Sequence, residues 1–225
     1  MIKFHPSEQH LVLYTAGELS PAMLMMVGTH VDMCSHCQAH VRDIEQQLAR
    51  KLLGDVEPQP LARNAALDEQ AMLQAIFNSQ PTPQTAAVAA NDSLYLEGNH
   101  FKLPATLARN SHRIGDWSRL PGKLWRAPVT VGGEEMLNFI YMAENASLPE
   151  HTHKGNEATL VVNGVFNDEN NEYRDGDFVL LDNHHKHSPA TQNEDCLTLA
   201  ALEGPLHFTS GLSRLLNPFS SLFFK

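Results

Sequence analysis

Apolar positions in the first 53 residues recur at helical intervals, whereas those after residue 94 crowd into short runs. Within "SEQHLVLYTAGELSPAM" the pattern predicts a short helix that stops at Gly17. Ser20 then stands as the cap of a second helix, about residues 21 to 32, with Pro21 in its first turn. That helix carries Met23, Leu24, Met25, Met26 and Val27. A third is expected from about Ser35 to Leu53, with Val41, Ile44, Leu48 and Leu52 at helical spacing and Gly54 as its stop. After a loop at 54–66, "LDEQAMLQAIF" predicts a fourth helix with Met72, Leu73, Ile76 and Phe77 on one side.

The stretch 78–93, "NSQPTPQTAAVAANDS", is polar, small and proline-containing, the composition of a linker. Beyond it lie "KLWRAPVTV", "EMLNFIYMAE", "EATLVVNGVF", "DFVLLD" and "CLTLAALEG", separated by Gly, Asn and Asp. Closely spaced short strands of this kind predict a sandwich or barrel, not a parallel βαβ sheet. The final "SGLSRLLNPFSSLFFK" is apolar but short, and is expected to pack back on the barrel. The fold class is therefore α + β multidomain: an all-α domain over residues 1–80, a linker over 81–93 and a β-sandwich or barrel domain over 94–225.

Composition narrows the function. The formal charge of −10 argues against direct nucleic-acid binding, which needs a concentrated basic surface, and would suit a protein partner with a basic face. The opening "MIKFHPSEQH" lacks the basic-then-apolar pattern of a signal peptide, and no apolar run reaches bilayer-spanning length. Three cysteines without an export signal predict a reducing cytoplasm, where thiols persist and can ligate metal. Histidine is the unusual component: 13 residues, several of them gathered into two clusters.

The first cluster is "THVDMCSHCQAH", residues 29–40. His30, Cys34 and Cys37 form H-x3-C-x2-C, so that one helix ends on a histidine and the next opens on two cysteines. Their side chains can converge on one zinc ion at about 2.0–2.3 Å. A short helical domain has little core, and a metal cross-link would compensate. The fourth ligand would be His5 or His10, with His36 and His40 left to solvent. Two buried thiols beside surface histidines is the bland alternative; a thioredoxin-type redox pair would need a βαβ context that is missing.

The second cluster is "EHTHKGNEATLVVNG", with His151, His153, Glu157 and Gly164. Strand alternation puts His151 and His153 on one face, and Glu157 can return to the same point after a short turn. A fourth ligand should come from a second strand, and "GDFVLLDNHHKH" offers His184, His185 and His187. A metal-free barrel with histidines lining a pocket is the competing reading. Three nitrogens and one oxygen suit Zn, Fe, Mn or Ni. Cys196, Trp117 and Trp125 read as packing residues, and the apolar sides of the Met23–Met26 run and of helix 67–77 as either core or partner surface.

The first cluster resembles that of the zinc-binding anti-sigma family, whose signature is an upstream histidine followed by H-x3-C-x2-C in a small all-helical domain. "YTAGELS" also matches that family's first helix-to-helix turn. The resemblance implies His5, His30, Cys34 and Cys37 as zinc ligands. The second cluster resembles the cupin double motif on a jelly-roll β-barrel. That likeness implies His151, His153, Glu157 and His187 around Zn2+ or another divalent transition metal, His187 being favoured by its spacing from Gly176. Three positions depart from the cupin pattern: Asn145 stands where a glycine is expected, and Asp182 and His184 where a proline and a glycine are.

Together the two halves resemble ChrR-type anti-sigma factors along almost the whole chain. That resemblance implies a non-enzymatic regulator. Its helical module would bind an extracytoplasmic-function (ECF) sigma factor, and its cupin would sense an oxidant such as singlet oxygen. The alternative is a metal-dependent cupin enzyme, a dioxygenase or hydrolase, with a helical appendage.

Overall fold

The computed structural model describes residues 1–54, 68–79, 91–133 and 135–211, together with 214 and 217. Four helices fall where the apolar spacing predicts them: α1 (Glu8–Ala16), α2 (Pro21–Met33), α3 (Ser35–Leu53) and α4 (Glu69–Asn78). Their ends obey local chemistry. Ser7 and Ser20 accept the backbone N–H groups of His10 and Met23, satisfying donors that have no partner within the helix. α1 closes at Gly17 in the left-handed conformation. All but Gly54 of the loop expected at 54–66 and most of the linker at 81–93 lie outside the described residues, as does most of the C-terminal stretch.

The remainder is β-structure with one short helix, α5 (Ala105–Arg109). The strands are β1 (Ser93–Leu96), β2 (Asn99–Lys102), β3 (Ser118–Leu120), β4 (Leu124–Val129), β5 (Met136–Met142), β6 (His151–His153), β7 (Glu157–Asn167), β8 (Glu172–Arg174), β9 (Phe178–Leu181), β10 (Cys196–Leu202) and β11 (Leu206–Phe208). The main sheet runs β3-β4-β5-β10-β7-β8, with β9 also on β7, while β11 and β6 form a second sheet and β1 and β2 a hairpin. Every named pairing is antiparallel. β10, buried at every position, is the centre of the barrel. Phe139, Leu160, Leu197 and Leu199 are fully enclosed around it.

Gly164 marks a bend that only glycine allows. Its φ is +90°, and a Cβ there would stand 2.0 Å from the Asp195 carbonyl oxygen. The β7–β10 register shifts beside it, between Leu197 and Thr198.

The chain divides into two compact units, one of residues 1–45 with 90–225, the other of 46–89. In the first, α2 packs on α5, β7 and β10 and buries Ala22, Met25, Met26, Val27, Thr29 and His30. The methionine run is thus largely core. α3 buries Val41 and Ile44, but Leu52 is 79 % exposed. In the second unit, Met72, Leu73, Ile76 and Phe77 of α4 are all exposed. No single described helix is long and apolar enough to cross a membrane; α1 and α2 pass that test only as a pair bent by 109°.

Candidate metal centres

The helical cluster forms where α2 hands over to α3. Cys34 leaves the helical path between them, and Cys37 follows one turn into α3, its N–H pointing at Cys34 Sγ (3.5 Å). His30 sits one turn before the end of α2, and His5 on the extended strap that precedes α1. His5 Nδ1 lies 3.4 Å from His30 Nε2 and 3.5 Å from both sulfurs, and His30 Nε2 lies 3.2 Å from Cys37 Sγ. Donors about 2.0–2.3 Å from one ion stand about 3.3–3.8 Å apart at the corners of a tetrahedron, so the four atoms are already at cage spacing. His30, Cys34 and Cys37 are buried; His5 is exposed.

Electrostatics prepare the donors. Burial pushes the His30 imidazole down to about 4, so it stays neutral. Its Nδ1–H donates to the Gly176 carbonyl at 2.7 Å, which turns the Nε2 lone pair toward the sulfurs. Burial, followed by the neighbouring Cys34, pushes the Cys37 thiol up to about 12. A cation is what would stabilise the thiolate there. His10 is turned elsewhere, its Nδ1 2.7 Å from Ser7 Oγ, and His36 is exposed.

In the barrel, β6 buries His151 and His153 and leaves Thr152 half-buried between them. The backbones of His151 and His187 exchange two hydrogen bonds, of 3.1 and 3.2 Å, so these residues face each other directly. That register brings in His187 and leaves His184 and His185 outside. Glu157 opens β7, held between Leu202 of β10 and Leu181 of β9. His187 Nε2 is 3.0 Å from His151 Nε2 and 3.1 Å from His153 Nε2. Glu157 Oε2 is 2.6 Å from His153 Nε2 and 3.4 Å from His187 Nε2. All four side chains are buried.

These contacts converge on a point instead of pairing off. Glu157 Oε2 is buried and makes no well-formed hydrogen bond, despite the two ring nitrogens beside it. Unpaired lone pairs aimed at one spot suit a cation. His151 donates Nδ1–H to the Pro149 carbonyl (2.8 Å), freeing Nε2 for the centre. Burial, then His187, lowers the His151 imidazole to about 4. Burial pushes the Glu157 carboxyl upward, but His153 and His187 outweigh it and hold the group well below the usual carboxylate range.

The three departures from the cupin pattern have physical equivalents. Asn145 adopts φ +55°, the left-handed conformation a glycine would supply and one that asparagine tolerates. Asp182 accepts the His184 N–H at 2.9 Å and faces His185 Nδ1 at 2.7 Å, an Asx-type turn in place of a proline-glycine pair. Trp125 is buried beneath the Arg119 guanidinium and beside Tyr141, in a packing role.

A His2Cys2 donor set at the strap and the α2–α3 junction, joined to a cupin that carries a His3Glu donor set, defines a class of cupin proteins with two candidate metal sites. Comparison with known proteins supplies the family. Residues 111–207 match the family model described as the ChrR cupin-like domain. The chain is 31% identical over 222 residues to the anti-sigma-E factor ChrR of Cereibacter sphaeroides, spanning 97% of this chain and 98% of that one. It also resembles the crystal structure of Rhodobacter sphaeroides SigE in complex with the anti-sigma ChrR. There the TM-score is 0.64 and the identity 26%, over 90% of this chain and 99% of that one. The chain belongs to the ChrR family of anti-sigma factors, which are regulators and not enzymes. The dioxygenase-or-hydrolase alternative is thereby set aside.

Proposed function

We propose that this chain binds and inhibits an ECF-type sigma factor in the cytoplasm and releases it in response to an oxidative signal such as singlet oxygen. The observation that carries the reading is the span of the likeness to the anti-sigma-E factor ChrR: it runs through the helices and the barrel alike, over 97% of the chain. The solved relative is described as bound to SigE.

The anti-sigma module is residues 1–80, with 81–93 as linker and 94–225 as the cupin domain. His5, His30, Cys34 and Cys37 would hold Zn2+, which supplies a cross-link between segments with a small core of their own. Exposed apolar side chains on α4 (Met72, Leu73, Ile76, Phe77) and at the end of α3 (Leu52, Leu53) are the grip on the partner. His151, His153, Glu157 and His187 would hold Zn2+ or another divalent transition metal in the sensory half.

A pull-down with the sigma factor tests the reading. Cys34→Ala is expected to abolish capture. His151→Ala and Glu157→Ala are expected to retain it while blunting oxidant-induced transcription. Undiminished capture by the Cys34 variant would remove the structural role of the cluster, and normal induction in the barrel variants would remove the barrel metal from signalling.

A further inference from the structure

The four donors of the helical cluster are held in two different ways. Cys34 and Cys37 are fixed by the α2–α3 junction itself. The two histidines are also held from the barrel, at the turn between β8 and β9, which orients the ring that His30 projects from α2. His30 donates Nδ1–H to the carbonyl of Gly176 in that turn (2.7 Å). His5 belongs to no helix, and the strap that carries it is tied to the same turn. The N–H groups of Lys3 and Phe4 both donate to Asp177 Oδ1, at 2.7 and 3.1 Å. The Phe178 N–H donates to the Phe4 carbonyl at 3.0 Å. The Phe4 ring lies 5.1 Å from that of Tyr173, and Ile2 covers Gly176 so closely that a Cβ there would come within 2.4 Å of Ile2 Cδ1.

Asp177 is the hub. It is 1% exposed and uses both oxygens: Oδ1 on the strap, Oδ2 on the Arg174 N–H of its own turn at 2.9 Å. A buried carboxylate taking three backbone N–H groups is a rigid anchor. Its hold reaches His5 through Phe4, the residue directly before the ligand.

We propose that Gly176 and Asp177, in the barrel turn between β8 and β9, are the outer coordination shell of the N-terminal metal cluster, with Asp177 the positioning residue for His5 and the Gly176 carbonyl the orienting acceptor for His30. This rests on the reading that His5, His30, Cys34 and Cys37 hold zinc. It assigns the histidine half of that centre to the barrel and the cysteine half to the helices. Zinc affinity then depends on a segment far away in sequence that contributes no ligand.

Asp177→Asn separates the two halves. An amide offers one acceptor oxygen, so its NH2 must face either the strap N–H groups or the Arg174 N–H, donor against donor. In the full-length protein, competition with a chromogenic chelator is expected to read about 10- to 100-fold weaker zinc binding, the usual effect of an outer-shell change. With cobalt in the site, thiolate-to-metal absorption should persist because both cysteines remain, while the d–d bands shift as His5 loosens. Asp175→Asn is the matched control: Asp175 Oδ1 accepts the Gly164 N–H (2.6 Å) in the same turn. It is expected to leave zinc affinity at its original value.

Phe4→Ala acts from the strap side, outside the barrel, and is expected to weaken zinc binding in the same direction even if the Asp177 variant fails to fold. Wild-type zinc affinity in the Phe4 variant and in a folded Asp177 variant would overturn the assignment. Absence of thiolate–cobalt absorption in the unaltered protein would overturn both this assignment and the zinc reading beneath it.

Discussion

The two candidate metal centres reach similar donor spacing by opposite routes. In the barrel, the ladder between His151 and His187 and the two strands flanking Glu157 fix ligand positions through backbone hydrogen bonds. The barrel also has an apolar core of its own that includes Phe139, Leu160, Leu197 and Leu199, all fully enclosed. In the helical segment, the donors come from the strap, the last turn of α2 and the first turn of α3, and α1 contributes a single buried residue, Leu11. The sheet would hold its ligands together without an ion. The helical segment has little core beyond the face that α2 lays on α5, β7 and β10, and an ion held there would become a structural element. Chemistry follows the same division: thiols suit a permanent cross-link, whereas three imidazoles and a carboxylate on a pre-formed frame suit an ion that can exchange or react without unfolding its host.

The sharpest way to break this contrast is to take the metals away. Structural zinc in small domains carries on the order of 10 kcal/mol of apparent folding free energy. Chelation is therefore expected to collapse a large part of the helical signal of residues 1–45 in circular dichroism and to leave the strand signal in place. Equal loss of both signals would mean that the barrel also folds around its ion. Retention of both would mean that packing of α2 on β7 and β10 holds the helical segment on its own.

Phe139→Ala runs the contrast in the other direction. The side chain is fully buried on β5, paired with Leu199 of β10 and Ala127 of β4. Emptying that volume costs about 3–5 kcal/mol. Denaturant unfolding of the metal-loaded protein should register that loss in the barrel transition. A loss of unfolding free energy below about 1 kcal/mol would place the barrel's stability in a bound ion and not in its core.

The sequence carried most of the elements because they rest on local signals. Ser20 followed by Pro21, and the stops at Gly17 and Gly54, bound helices within a residue or two of their observed ends. The eight donors gather as the two motifs and the family resemblance suggest; strand alternation accounts for His151 and His153, whereas His5 and His187 were singled out by the resemblance and not by periodicity. Strand order was not legible: β10 inserts between β5 and β7, and nothing in "CLTLAALEG" names its neighbours. Nor was the turn that grips the strap. "RDGDF" reads as an ordinary turn before a strand, and the three N–H groups that Asp177 accepts include two from residues 3 and 4. Long-range backbone acceptance leaves no periodic trace. Asn145 and Asp182 look like defects in a motif until backbone angles and turn bonds reveal that they do the work of glycine and proline.

The smallest predicted effect tests whether the turn at 174–178 is the barrel's one point of control over the helical centre. Helix α2 is tied to the barrel at its other end as well, because the Ser20 hydroxyl that accepts the Met23 N–H also donates to the Glu135 carboxylate. Ser20→Ala removes both bonds, a change worth about 1 kcal/mol, or a fall of about 2–4 °C in Tm for a chain of this size. Yet His30 stands near the far end of α2, with Met25, Met26 and Val27 packed in between. Fraying of the first turn should be absorbed before it reaches the ligand, so zinc affinity in the chelator competition is expected to stay at its wild-type value while Tm drops. If affinity falls with Tm, α2 transmits strain as a rigid rod, and the barrel holds the helical centre from both ends of that helix.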